Sequence, residues 1–168
     1  HQPNFEPPYL IPILGHAGAG KDTFKKGLGA RFTESRFRHS PVINYKERDS
    51  RSTEIEGLDY KRIHSEAHSQ KLVRHGTIIV HYKHDGRQYG LSDKIIEAIE
   101  RNESAVMITE PDGLYNLNQY AQSNIQNMVI SILLHTDIDE AERRLVTRVR
   151  SPLRAQEIRD INAHIEGL

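Results

Sequence analysis

Gly15-His16-Ala17-Gly18-Ala19-Gly20-Lys21-Asp22-Thr23 is the stretch on which the reading of this chain turns. It follows an apolar run, Tyr9 to Leu14, and precedes a predicted helix over Asp22 to Phe32. Strand, glycine-rich loop, lysine and helix in that order make a cradle for phosphate. Small residues let the backbone wrap close to a ligand so that successive N–H groups point inward. The helix that begins there adds unpaired N–H donors and the positive end of its dipole, and Lys21 is placed to reach the outer phosphates. The bland alternative is a glycine turn that only joins strand to helix. The pattern G-x-x-x-x-G-K-[ST] is met up to Lys21, after which Asp22 stands where a hydroxyl residue is expected and Thr23 comes one place later. Asp22 is therefore the candidate ligand for Mg²⁺, directly or through water, with Thr23 left to bond a phosphate. Pro12 removes a ladder N–H from a predicted central strand, which predicts a strand bent or short at its start.

The 168 residues fit one domain with a real core. Lys plus Arg and Asp plus Glu number 23 each, so a general electrostatic grip on nucleic acid or membrane is not expected. There is no cysteine, which excludes disulfides, zinc–thiolate sites and thiol catalysis and suits a reducing, cytoplasmic setting. No apolar run is long enough to cross a bilayer. Residues 1–8, rich in proline, read as a flexible arm.

Phe24, Leu28 and Phe32 give the first helix a buried stripe, with Gly27 and Gly29 weakening it. Pro41 to Asn44 reads as a short second strand. Asn44 to Tyr60 is densely charged with both signs and has no helical period. It reads either as a solvated loop or as a phosphate clamp in which Arg48 and Arg51 offer planar forks and Tyr60 a hydroxyl. Ser65 to His75 predicts a helix ended by Gly76; His64 and His68, four apart, can share one face there as ordinary surface histidines or as a metal pair for which no third ligand is evident. Thr77 to Lys83, the turn Asp85-Gly86 and the return Arg87 to Gly90 form a hairpin. Ser92 caps a helix with Ile95, Ile96 and Ile99 inward, and Ala105 to Thr109 is a buried strand ending at Glu110. Acids at a strand's carboxyl end lie where open α/β sheets bind ligands. Leu114 to Ser123 is a helix, Met128 to Leu134 a central strand, and Asp137 with Glu140 opens a helix carrying Arg143, Arg144 and Arg148. Alternating strands and helices imply parallel pairing in an α/β/α sandwich.

Several pieces in one order resemble the guanylate kinases, within the P-loop nucleoside monophosphate kinases. After the phosphate loop, Arg48, Arg51, Glu54, Gly57, Asp59 and Tyr60 follow the family's R-x-x-R-x-x-E-x-x-G-x-D-Y. Tyr89-Gly90 then matches its Y-G, and Arg144-Leu145 with Arg148 its R-L-x-x-R, while Arg159 and Glu166 fall where a lid-side arginine and a following glutamate are expected. The resemblance implies a five-stranded parallel core, a nucleotide-monophosphate-binding module over about 44–89 and a lid over about 149–156. It also implies ATP on residues Gly15 to Thr23, with Arg48, Arg51, Tyr60 and Tyr89 on the acceptor's phosphate. Lys21, Arg144 or Arg148, and Arg159 act on the transferring group. The partners so implied are ATP with Mg²⁺ and a nucleoside monophosphate, GMP or dGMP first, in a monomer or dimer with no nucleic acid and no membrane.

The guanine-reading positions depart from the family. Asn44 replaces a serine, the glutamate position falls on Val80 or, shifted by one, His81, and Leu91 replaces a small hydroxyl residue. Of the two strand-end acids, Ile108 takes the first place and Glu110 stands for the second. Losing polar partners for a base redirects selectivity, so a kinase for another small phosphorylated acceptor is a competing expectation. A third is a non-catalytic module that binds phosphorylated partners, to which the chain's end soon after Glu166, short of the family's further strand and helix, would also correspond.

Overall fold

The computed structural model describes residues 6–49 and 54–148. Strand β1 (Leu10–Leu14) is buried along its whole length and runs through the middle of a parallel sheet. It leads into the phosphate loop and then helix α1 (Lys21–Glu34). The other strands of this sheet are β2 (His39–Pro41), β7 (Ser104–Ile108) and β8 (Ile132–Leu133), in the order β2-β7-β1-β8. The described sheet thus has four strands rather than the five expected, and Met128 to Leu134 lies at its edge rather than its centre. Leu133 is accordingly 76 % exposed. The second strand also starts two residues earlier than its apolar residues suggest; beyond its end the Val42 N–H still donates to the Val106 carbonyl at 2.8 Å while the side chain packs inward.

Pro12 leaves β1 whole and shows instead on the neighbouring segment. The N–H of Leu10 donates to the Met128 carbonyl, so by the two-residue period the nitrogen of Pro12 faces the same neighbour. There the ladder lapses: Leu10 bridges Val129, and pairing resumes only at Ile13 with Ile132. The missing donor coincides with the break in the edge segment.

A second, mixed sheet follows the order β4-β3-β6-β5. Its strands are β3 (Tyr45–Lys46), β4 (Lys61–Arg62), β5 (Ile78–His84) and β6 (Arg87–Ser92), with α2 (Glu66–Arg74) between β4 and β5. The segment Asn44 to Tyr60, read as a solvated loop or a phosphate clamp, thus opens with one short strand, β3, and runs into another, β4. Asp85 and Gly86 both have positive φ, 50° and 72°, the signature of a two-residue hairpin turn. That turn sets His84 opposite Arg87 and Tyr82 opposite Tyr89. The Ser65 side chain caps α2 by accepting from the His68 N–H, and His68 stacks on His64 while accepting from its N–H. Among the described residues no cluster of three metal-ligating side chains occurs.

Alternation along β1 divides the core. Ile11 and Ile13 face α1, where Phe24, Leu28 and Phe32 share the packed face their spacing predicts but are half-buried rather than buried. Leu10 faces the other way, into a cluster of Met107, Leu117, Val80, Tyr82, Tyr89 and Leu91, with Ile95 from α3 (Lys94–Glu100). Helix α4 (Pro111–Tyr120) starts with proline in its first turn and continues as one π turn over Ala121–Ile125. Its Gly113 is packed so tightly on β7 and β5 that an added Cβ would sit 2.8 Å from the Tyr82 ring and inside contact distance of Thr109 Oγ1. Helix α5 (Ile138–Arg148) closes the described chain. No helix among the described residues is long and apolar enough to cross a membrane.

Candidate active site

The loop after β1 takes the conformation its glycines allow. Gly18 and Gly20 have φ of +82° and +86°, and a Cβ on Gly18 would lie 2.8 Å from the Ala141 carbonyl of α5. Gly15 is closed in by Ala19 and the Leu134 carbonyl, each 3.0 Å from where its Cβ would stand. Lys21 folds back so that its ammonium donates to the Gly15 carbonyl. His16 turns away from the loop's mouth and tethers it: Nδ1 lies 3.0 Å from the Ala17 carbonyl and Nε2 3.2 Å from that of Thr136.

Two spaces open beside the loop. The outer one, about 610 Å³, is lined by Gly18, Ala19, Gly20, Thr23, His135 and Arg144. Arg144 donates to the Gly18 carbonyl at 3.3 Å and to Glu140 at 2.9 Å. Glu140 does not complete the expected reciprocal cap. Asp137 accepts from the Asp139 N–H at 2.9 Å, while hydrogen bonds from Arg143 and Arg144 hold the Glu140 carboxyl down at about 2.

The inner cleft, about 120 Å³, lies between the loop and the second sheet. Gly15, Ala17 to Asp22, Asn44, Arg48, Tyr89 and Glu110 all line it, so it gathers most of the residues singled out from sequence. Thr23, one residue after Asp22, faces the outer space instead. Asn44 is 7 % exposed. Its Nδ2 donates to the Ile108 carbonyl, and its Oδ1 is buried with no partner among the described residues. The carbonyl contact fixes which end of the amide points where. Glu110 accepts from the Tyr82 hydroxyl. Burial, then the adjacent carboxylate, push that hydroxyl well above the usual phenol range, so it stays a donor. Arg48 meets Glu54 fork to fork at 2.9 and 2.5 Å, and Lys46 stands 3.7 Å from the same carboxylate.

Two predicted acceptor residues do not reach this cleft. Tyr60 is 2 % exposed, buried in the core and absent from the cleft wall. His81 is on the opposite face of β5, 3.0 Å from the Gln88 side chain; the hairpin register puts Tyr82, not His81, on the face of Tyr89, and the two rings stack at 5.5 Å. Arg51, Arg159 and the lid over about 149–156 lie outside the described residues, and of Arg148 only the backbone is described. Residues missed in the sequence are Lys46, His84 and Arg87 on the cleft wall, and Tyr82 behind Glu110. The Asp85-Gly86 turn was signal enough for three of them, since a two-residue turn fixes which hairpin residues share a face. Lys25 was also missed: its ammonium donates to the Val42 carbonyl at 2.9 Å, and burial lowers it to about 8, with Asp22 opposing and Lys46 adding to the shift.

A parallel sheet whose central strand feeds a glycine loop, a lysine and a helix, with a second sheet facing the loop, is the architecture of a P-loop phosphotransferase. The family model for guanylate kinase matches residues 8–165. The chain belongs to the guanylate kinase family, nucleoside monophosphate kinases that move the γ-phosphoryl group of ATP to GMP. Among solved structures, guanylate kinase from Anaplasma phagocytophilum is similar with a TM-score of 0.57 and 21 % identity, over 92 % of this chain and 72 % of that one. A chain of the Pnkp1/Rnl/Hen1 RNA repair complex is similar with a TM-score of 0.52 and 11 % identity, over 100 % of this chain and 47 % of that one. At these identities the likeness is one of fold. No curated protein matches the chain.

Proposed function

We propose that this chain itself binds ATP on the loop Gly15 to Thr23 and phosphorylates GMP or dGMP held in the inner cleft. The observation that carries this reading is the cleft itself, whose wall joins the phosphate loop to Asn44, Arg48, Tyr89 and Glu110 of the acceptor side. An oxygen of the acceptor's phosphate attacks the γ-phosphorus in line; the new P–O bond forms as the bond to the β–γ bridging oxygen breaks, and ADP leaves with that electron pair. Loop N–H groups and Lys21 offset the charge on the transferred group, and Arg144 adds to them from the outer space. Arg48 and Tyr89 hold the acceptor's phosphate, while Asn44 and Glu110 face its base.

Asp22 suits a metal here. It projects from the first turn of α1 into the cleft that also holds Lys21 and Glu110. Mg²⁺ takes most of its ligands from water and substrate phosphates and needs only one or two carboxylates. When bound, the ion would neutralise charge on the β- and γ-phosphates.

The reading is tested by ADP release with Mg-ATP and GMP, dGMP, AMP, CMP, UMP or dTMP, with Lys21→Ala as control. Turnover that depends on GMP and disappears in the variant is expected. Turnover with a different acceptor would keep the transfer chemistry and reject guanine; absence of ATP binding would reject the kinase.

A further inference from the structure

We infer that Arg87, at the start of β6, is a further guanidinium that grips the acceptor's phosphate beside Arg48, a role that rests on the kinase reading above and deepens it. Arg87 follows the hairpin turn and pairs with His84 in the register. By the two-residue alternation of a strand it lies on the face of Tyr89, which packs against Tyr82 at 5.5 Å and edge-on to His84 at 6.0 Å. That face forms the wall of the inner cleft, opposite Gly18, Lys21 and Asp22.

The state of the other arginines makes Arg87 distinct. Arg48, also on the cleft wall, has both outer nitrogens taken by the two oxygens of Glu54. Arg144, in the outer space, is engaged by Glu140 and the Gly18 carbonyl. Arg87 is half-buried, and no hydrogen bond or ion pair of its side chain occurs among the described residues. A half-buried guanidinium that faces a phosphate loop and has no ion-pair partner among the described residues fits an anion supplied by the ligand. The cleft is short of a partner elsewhere too. Asn44 Oδ1 is a buried acceptor to which no described residue donates, and an unpaired buried acceptor is costly. A ligand that ends in a phosphate and carries an N–H donor answers both, and a nucleoside monophosphate is such a molecule.

The test compares wild type, Arg87→Gln and Arg87→Lys by calorimetric titration with GMP and, separately, with ATP, alongside thermal melting and steady-state kinetics. Losing charge-assisted hydrogen bonds to phosphate predicts a GMP Kd raised about 10- to 100-fold in Arg87→Gln. Affinity for ATP and the melting temperature stay as in wild type, and Arg87→Lys recovers part of the loss because it keeps the charge but not the fork. An Arg87→Gln protein that binds GMP as wild type does, in a wild type that phosphorylates GMP, overturns the assignment and leaves the kinase reading standing. Loss of ATP affinity and melting temperature together with GMP affinity makes Arg87 structural and also overturns it. A folded wild type that neither binds nor phosphorylates GMP removes the acceptor reading and this inference with it.

Discussion

Replacing Gly113 by alanine tests how the core holds the acceptor side of the site. Gly113 is buried in the first turn of α4, over the end of β7, where its missing side chain lets the helix approach Thr109 and Tyr82. A methyl group there would stand 2.8 and 2.9 Å from two Tyr82 ring carbons and closer still to Thr109 Oγ1. Thr109 is fully buried and Tyr82 is 4 % exposed, so neither has room to retreat. Overpacking a dense core costs about 1–3 kcal/mol. Displacing Tyr82 also breaks its hydrogen bond to the Glu110 carboxylate, worth roughly 1.5–3 kcal/mol. Alanine gains about 1 kcal/mol over glycine as a helix former. The balance is a loss of roughly 1.5–5 kcal/mol, which at a slope of about 2 kcal/mol per molar urea lowers the unfolding midpoint by roughly 1–2.5 M. Urea titrations of wild type and Gly113→Ala under identical conditions measure it. An unchanged or raised midpoint would refute the packing argument, because helix propensity alone would then decide the outcome.

Three other substitutions probe separate parts of the site. Gly18→Ala forces a methyl onto a residue at φ +82° and within 2.8 Å of the Ala141 carbonyl; at about 1–2 kcal/mol for the left-handed conformation alone, ATP affinity by titration should fall about tenfold or more, while unchanged affinity would contradict the loop assignment. Tyr82→Phe removes the donor that orients Glu110, so the KM for the acceptor should rise several-fold with the KM for ATP constant, and an unmoved acceptor KM would show that Glu110 needs no such support. Lys25 falls to about 8 in the folded chain against 10.5 in the unfolded one, chiefly through burial. Between those pH values the unfolded chain holds a proton that the folded chain has released, so stability rises with pH across the window. The stability of wild type relative to Lys25→Met should therefore increase by about 2 kcal/mol from about pH 7.5 to about pH 10, and a flat or falling difference in denaturation profiles would show that the amine is not buried against its charge.

The parts of this protein that could be read from sequence are those where one residue type has one physical use. Gly18 and Gly20 announce backbone that only glycine adopts cheaply, and both have positive φ. Phe24, Leu28 and Phe32 announce one face of a helix and line it. Asp85-Gly86 announces a tight turn, and the hairpin follows with the expected ends. Properties that depend on a partner distant in sequence were hidden. Nothing near Arg48 in the chain shows that Glu54 meets it with both oxygens, since the two are joined by a segment with no local period. Counting back from Tyr89 to the family's glutamate position reached Val80 or His81, whereas pairing across the hairpin sets Tyr82 beside Tyr89. Counting along a chain ignores that only every second strand residue faces a given side. The apolar run Met128 to Leu134 looked central because it is hydrophobic on both faces, yet in the described sheet it is the edge. Hydrophobicity reports how much a strand buries, not which neighbours it has.

The most direct test of the central claim follows the phosphoryl group itself. ATP labelled at the γ-phosphorus would be incubated with the protein, Mg²⁺ and unlabelled GMP, and the nucleotides separated. Label is expected in GDP at its β-position, accumulating in step with ADP and absent from Lys21→Ala, whose loop has lost the ammonium that folds over Gly15. Label released as inorganic phosphate with none in GDP, from protein shown to bind both nucleotides, would contradict it.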